Sequence, residues 1–240
     1  MNEARLTPLI SRAILNRTSQ VFPEETHAVC ASTNLMRRVT NLNPLEKSSG
    51  NRDLHGAIQL LFSRNRELAH FSVVCLFNGG YASVKVLVRA ATENALCMRL
   101  FNKRPELATK WIKNPERFRR KWNPTQIIRD VFATKERIGR SYRQFYGILC
   151  SYVHPSSLGW REQIVDSKIL WRPIFKPENA SECFGQVFFI IMQSFKPFFE
   201  TCQQRIPLDV LSHVNVILPR VEQMIMRHFQ VIGYTTEVKP

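Results

Sequence analysis

The sequence predicts an all-α fold, one helical bundle of about seven to nine helices spanning residues 1–240. Three observations carry that expectation. Apolar residues recur at steps of three and four over several long stretches, no stretch sustains strand alternation, and turn signals such as Asn78-Gly79-Gly80 separate the periodic runs. At 240 residues the chain can bury a real core, and 44% hydrophobic with 22% charged residues is ordinary globular composition.

Each element follows in turn. Residues 4–20 set Leu6, Leu9, Ile10, Ala13 and Ile14 at helical spacing, and Pro23 ends that run. A second helix over Thr26–Val39 turns Leu35 and Met36 inward and puts Arg37 and Arg38 near its C-terminal end, where cations suit the dipole. Residues 1–40 thus read as an N-terminal helical arm. Asn41–Arg52, rich in Asn, Ser, Pro and Gly, reads as a loop. Asp53 caps a helix running to about Phe77, which Asn78-Gly79-Gly80 stops. Gly80–Phe101 returns antiparallel, with Tyr81, Val84, Val88, Ala91, Ala95 and Met98 as its buried stripe and Arg89 with Glu93 as its one charged pair.

Pro105, Pro115 and Pro124 break the next stretch into short helices. Thr125–Arg140 and Ser141–Val153 read as two more, the second ending at His154 because a residue before proline is pushed from α geometry. Residues 156–179 form an irregular segment with a short hairpin around Ile169–Phe175. Glu178–Gln203 and Leu208–Val231 close the chain as two long apolar-faced helices, the second within the C-terminal 206–240.

Composition narrows the function classes. Val187–Met192, the longest apolar run, is far short of the roughly 20 residues needed to span a bilayer. MNEARLTPLISRAIL has a polar start and an interrupted apolar stretch, so neither a signal peptide nor a membrane span is expected, and the expected location is cytoplasmic. The cysteines at 30, 75, 97, 150, 183 and 202 form no Cys-x-x-Cys pair and read as buried reduced thiols. Neither zinc-site spacing nor a phosphate-cradling glycine loop occurs, so no metal and no cofactor is expected.

The net charge is +15, and residues 99–143 hold 14 basic against 4 acidic side chains, +10 of that excess. Such a concentrated field attracts polyanions. Lys103, Arg104, Lys110, Lys113, Arg117, Arg119, Arg120 and Lys121 alternate there with Phe101, Trp111, Phe118 and Trp122. Cations neutralise phosphates while aromatic rings stack bases, so these residues are the candidate nucleic-acid contacts.

Two constellations are candidates for chemistry. Arg89 and Glu93 share a helix face in the weaker order for helix stabilisation, so a specific partner is expected for them, as a buried clasp or as a phosphate site. The partner lies on the helix where Arg143, Gly147, Cys150 and His154 fall on one line, with Tyr146 beside it; His154 at that helix end favours its protonated form. The competing set is Arg64, Asn65 and His70.

Arg89-Ala-Ala-Thr-Glu93 and Tyr146 with Ser151-Tyr152-Val153-His154-Pro155-Ser156 resemble a group of bacterial all-helical proteins similar to the HEPN (higher eukaryote and prokaryote nucleotide-binding) class, over roughly residues 50–205. The resemblance implies a helical homodimer and, in many members, a metal-independent ribonuclease of toxin or antiphage systems in which an Arg and a His attend attack of the 2′-hydroxyl on the phosphodiester. Here Arg89 and His154 lie on different helices, and the short-range set is Arg64-Asn65 with His70. The expected function is RNA binding, with cleavage by His154 (or His70) as acid–base and Arg89 (or Arg64) stabilising phosphate charge. The alternative is a non-catalytic interaction or regulatory module, an antitoxin or sensor with a protein partner, whose Arg-Glu-His cluster is structural.

Overall fold

The computed structural model describes residues 12–42, 51–153, 164–165, 168–169, 174–202 and 206–231. Among them are ten helices: α1 Arg12–Val21, α2 Pro23–Thr40, α3 Arg52–Phe77, α4 Tyr81–Lys103, α5 Glu106–Lys113, α6 Pro115–Lys121, α7 Pro124–Val131, α8 Glu136–Val153, α9 Pro177–Cys202 and α10 Leu208–Val231. The fold is all-α. Its strand content among the described residues is one antiparallel pair, β1 Ile164–Val165 with β2 Lys168–Ile169. That pair closes earlier than the hairpin expected at 169–175.

Three prolines act as helix starts rather than breaks. Pro23, Pro115 and Pro124 each occupy the first turn of a helix, where the missing N–H has no partner to lose and the fixed φ is already helical. Asn114 and Asn123 cap the helices behind two of them, their Oδ1 atoms accepting from Arg117 N at 2.9 Å and Gln126 N at 3.0 Å. The cap of α3 is Asn51, whose Oδ1 accepts from Leu54 N at 3.1 Å, rather than Asp53. The expected division near Arg140 falls instead at Phe132–Lys135, between α7 and α8. Gly139 is buried at that junction: a Cβ there would stand 3.2 Å from Phe132 Cβ, so the bare backbone lets the first turn of α8 approach Phe132 closely.

The α3–α4 hairpin is the centre of the bundle, and α9 packs across both its helices. Gly80 N donates to Cys75 O at 2.8 Å and Gly79 N to Leu76 O at 3.0 Å, which closes α3 with a left-handed residue at Gly79 (φ 71°). The inward stripe of α4 is as expected: Tyr81, Val84, Val88, Ala91, Ala95 and Met98 are all buried. Phe62 of α3 meets Phe195 and Phe198 of α9, with ring centroids 5.3 and 4.2 Å apart. Burial of each such side chain contributes about 1.5–3 kcal/mol. Asn65 is wholly buried where α3, α4 and α9 meet; it donates to Ala91 O at 3.1 Å and Ser194 Oγ at 2.8 Å and accepts from Asn94 Nδ2 at 2.9 Å. α2 packs on α3 and α10, and α10 packs on α9, so the predicted arm is part of the bundle. The short helices α5–α7 and the long α8 cover the remaining side of α4.

Candidate nucleic-acid interface

α4 carries three of its polar groups on one line. Lys85, Arg89 and Glu93 follow one another at steps of four and face α8. From α8, Tyr146 donates to Glu93 Oε1 at 2.7 Å, and Arg89 Nη2 approaches the same carboxylate oxygen at 3.1 Å. The Arg89 guanidinium also reaches the Tyr146 hydroxyl, at 3.3 and 3.4 Å. Burial, reinforced by the hydrogen bond to Glu93, pushes the Tyr146 phenol well above its ordinary range, so it stays protonated and acts as a donor. Burial opposes the Arg89 charge, but Tyr146 and Glu93 outweigh it and its pKa is raised. Arg89 and Glu93 side chains are 25% and 26% exposed, so this trio is open to solvent on one side rather than a sealed clasp.

One helical turn away lies a second polar trio. Lys85, only 1% exposed, donates to Tyr152 OH at 2.8 Å and to Glu182 Oε2 of α9 at 3.0 Å. Gly80–Phe101 therefore holds more than one charged pair. Toward the other end of α4, Arg99 donates to Gln193 Oε1 at 2.5 Å, and Tyr142 shares that oxygen. Burial drives the Tyr142 phenol up to about 12, against the pull of Arg99. Position four residues before Arg89 could have pointed to Lys85, but its partner Glu182 lies 97 residues away and nothing local signals it.

A cleft of about 560 Å³ runs over the Arg89–Glu93–Tyr146 trio. Arg64 enters it from α3, Cys97 from α4, and Trp111, Arg119 and Trp122 from the α5–α7 side. Burial first, then the Glu93 charge, pushes the Cys97 thiol up to about 12 against the influence of Arg119, which leaves it unreactive. A second hollow of about 390 Å³ lies on α5 and α6, lined by Lys110, Lys113, Arg117 and Lys121 around Phe118 and Trp122. Trp122 borders both hollows, stacks on Phe118 at 6.5 Å and carries the Arg104 guanidinium 5.5 Å above its ring. Phe101 and Phe118 are buried core, and Trp111 and Trp122 are half-buried against it.

The cations divide into two sets. Arg104 and Lys103 are tied to Asp130 at 2.6 and 3.4 Å. Lys110, Lys113, Arg117, Arg119, Arg120 and Lys121 are exposed, and among the described residues none of them has an acidic partner.

Other predicted residues separate. Arg143 is exposed, and Gly147 faces open space, with no atom within 4 Å of where its Cβ would stand. His154 lies outside the described residues. Arg64 is exposed and pairs with Glu67 at 2.9 Å, His70 is exposed beside Phe71, and Asn65 is sealed in the core. The three therefore do not converge: the helix turns them to different sides. Cys30 is exposed, contrary to the expectation of buried thiols, whereas Cys183 and Cys202 are buried. Among the described residues no group of three or more His, Cys, Asp or Glu could hold a metal ion, and no helix is long and apolar enough to cross a membrane. Comparison with family models, curated proteins and solved structures yields no match.

Proposed function

We propose that this protein binds single-stranded RNA on the face built by α5–α7 and in the cleft over Arg89, Glu93 and Tyr146. The observation that carries the reading is the set of exposed cations that, among the described residues, have no acidic partner; five of them, Lys110, Lys113, Arg117, Arg119 and Lys121, line the two hollows that the half-buried Trp122 borders. Lys and Arg side chains on such a surface displace the cations condensed on RNA phosphates, and the indole face offers a base its stacking platform. The HEPN-like resemblance belongs to this proposal, as do the homodimer and the role in a toxin or antiphage system that it implies. Cleavage, in this reading, falls to His154, with Arg89 receiving the charge that develops on the phosphate.

A second reading, a non-catalytic interaction or regulatory module, is favoured by one feature. Glu93 already accepts from both Arg89 and Tyr146, so the trio satisfies itself without a ligand.

The test is anisotropy of a labelled single-stranded RNA between 50 and 200 mM salt, with duplex DNA beside it. Replacing Lys110, Lys113, Arg117 and Lys121 by Gln should lower the slope of log K against log salt by about 0.7 per lost phosphate contact, roughly 2–3 in total. An unchanged slope refutes RNA binding at this face. Gel analysis of the same RNA in chelator, with wild type and His154→Ala, separates the readings: cleavage that His154→Ala abolishes supports chemistry, and intact RNA with wild type leaves binding alone.

A further inference from the structure

Beside Glu182 on α9, at Ser181, three helices bring together residues that no sequence motif connects. Ser181 stands in the first turns of α9, His228 in the last turn of α10 and Glu25 in the first turn of α2. Ser181 Oγ lies 2.8 Å from His228 Nδ1, and His228 Nε2 lies 3.3 Å from Glu25 Oε1. With the ring neutral, Nε2–H donates to the carboxylate and Nδ1 is left to accept the serine proton. His228 is 3% and Glu25 5% exposed, and the rings of Phe22 and Phe184 stand 6.4 and 6.3 Å from the imidazole. Burial, with some help from Arg227 and against Glu25, lowers the His228 pKa, so the base is unprotonated at neutral pH.

The site also has room for a substrate. A cavity of about 490 Å³ borders Ser181, His228 and Glu25 and is walled by Val21, Phe22 and Pro23. Arg227, the one cation of that lining among the described residues, reaches Glu24 at 2.9 Å and Glu25 at 3.1 Å through Nη1.

We propose that Ser181, His228 and Glu25 act as nucleophile, base and orienting carboxylate in the hydrolysis of a small carboxylic ester. A nucleophile hydrogen-bonded to a base, itself held by a third group, is the arrangement that activates a hydroxyl. Ser181 Oγ bonds to the ester carbonyl carbon as its proton passes to His228 Nδ1. The tetrahedral intermediate collapses with cleavage of the carbon–alkoxide bond, and the leaving alcohol takes the proton from Nδ1. Water then attacks the acyl-serine with the same base, which returns the serine and releases the acid. Arg227 faces the charge on the carbonyl oxygen, and the apolar wall of Val21, Phe22 and Pro23 selects a short acyl chain. This activity is independent of RNA binding.

The test is covalent labelling of the full chain by a fluorophosphonate, with the site located by mass spectrometry. The reaction forms an Oγ–P bond, expels fluoride and leaves the proton on His228. The expected result is an adduct on Ser181, absent in Ser181→Ala, formed at least about 100-fold more slowly in His228→Gln, and weakened as pH falls below neutrality. Circular dichroism checks that the variants fold. Wild-type protein without an adduct on Ser181 overturns the proposal whatever the variants do, and so does an adduct whose rate a folded His228→Gln leaves unchanged.

Discussion

Removing Glu182 and removing Glu93 should have different consequences, although each takes one carboxylate from one cation on the same helix. Lys85 is 1% exposed and Arg89 is 25% exposed. Glu182→Ala takes a carboxylate from an interior ammonium that keeps its other contacts, the Tyr152 hydroxyl at 2.8 Å among them, and breaking a buried ion pair typically costs about 3–5 kcal/mol. Glu93→Ala leaves a guanidinium that still meets Tyr146 OH at 3.3 Å and can turn to the water of the cleft. Solvent screening reduces that loss to about 1–2 kcal/mol. For a chain of this length each kcal/mol moves Tm by about 2–4 °C, so the drops should be about 6–20 °C and 2–8 °C. Thermal unfolding followed by circular dichroism measures both. The double variant Lys85→Met with Glu182→Ala should recover part of the Glu182→Ala loss, because no ammonium is then left inside. Equal losses for the two single variants, or no recovery in the double, would refute the assignment of Lys85 as the buried charge and Arg89 as the open one.

Three further outcomes follow from individual contacts. The folded-state pKa of His228 lies below its ordinary 6.5, so between those two values the unfolded chain binds more protons and stability rises with pH; the unfolding free energy from urea titrations should fall as pH drops from 7 to 5, by up to about 1.4 kcal/mol per pH unit, and His228→Gln should remove that part of the slope. Iodoacetamide at pH 7.5 should alkylate exposed Cys30 well before Cys97, whose pKa is about 12, and peptide mapping that finds the reverse order would contradict the cleft electrostatics. Gly79→Ala should cost about 1–3 kcal/mol in thermal unfolding, since its φ is 71° and the new Cβ would stand 3.0 Å from the Ile174 carbonyl oxygen.

Periodicity located the long helices because packing a helix against a core repeats every three or four residues, and that repeat is written locally. Prolines carry a double meaning: the same residue ends one helix and starts another, and only the Asn before Pro115 and Pro124 marks a start. Arg89, Glu93 and Tyr146 could be singled out because charge and phenol interrupt otherwise apolar faces, and they do meet. Asn65 looked equally available in the chain, yet the crossing of α9 over the α3–α4 hairpin sealed it.

From the amino-acid order alone come the helical class, the stripe of α4 and the concentration of positive charge between residues 99 and 143, since each depends on near neighbours or on composition. Which cations remain without an acid, which carboxylate meets Lys85, and the approach of Ser181 to His228 across 47 residues and of His228 to Glu25 across 203 were decided only by how the helices pack. A side chain's partner across a bundle depends on the rotation and crossing of two helices, and no local pattern encodes both.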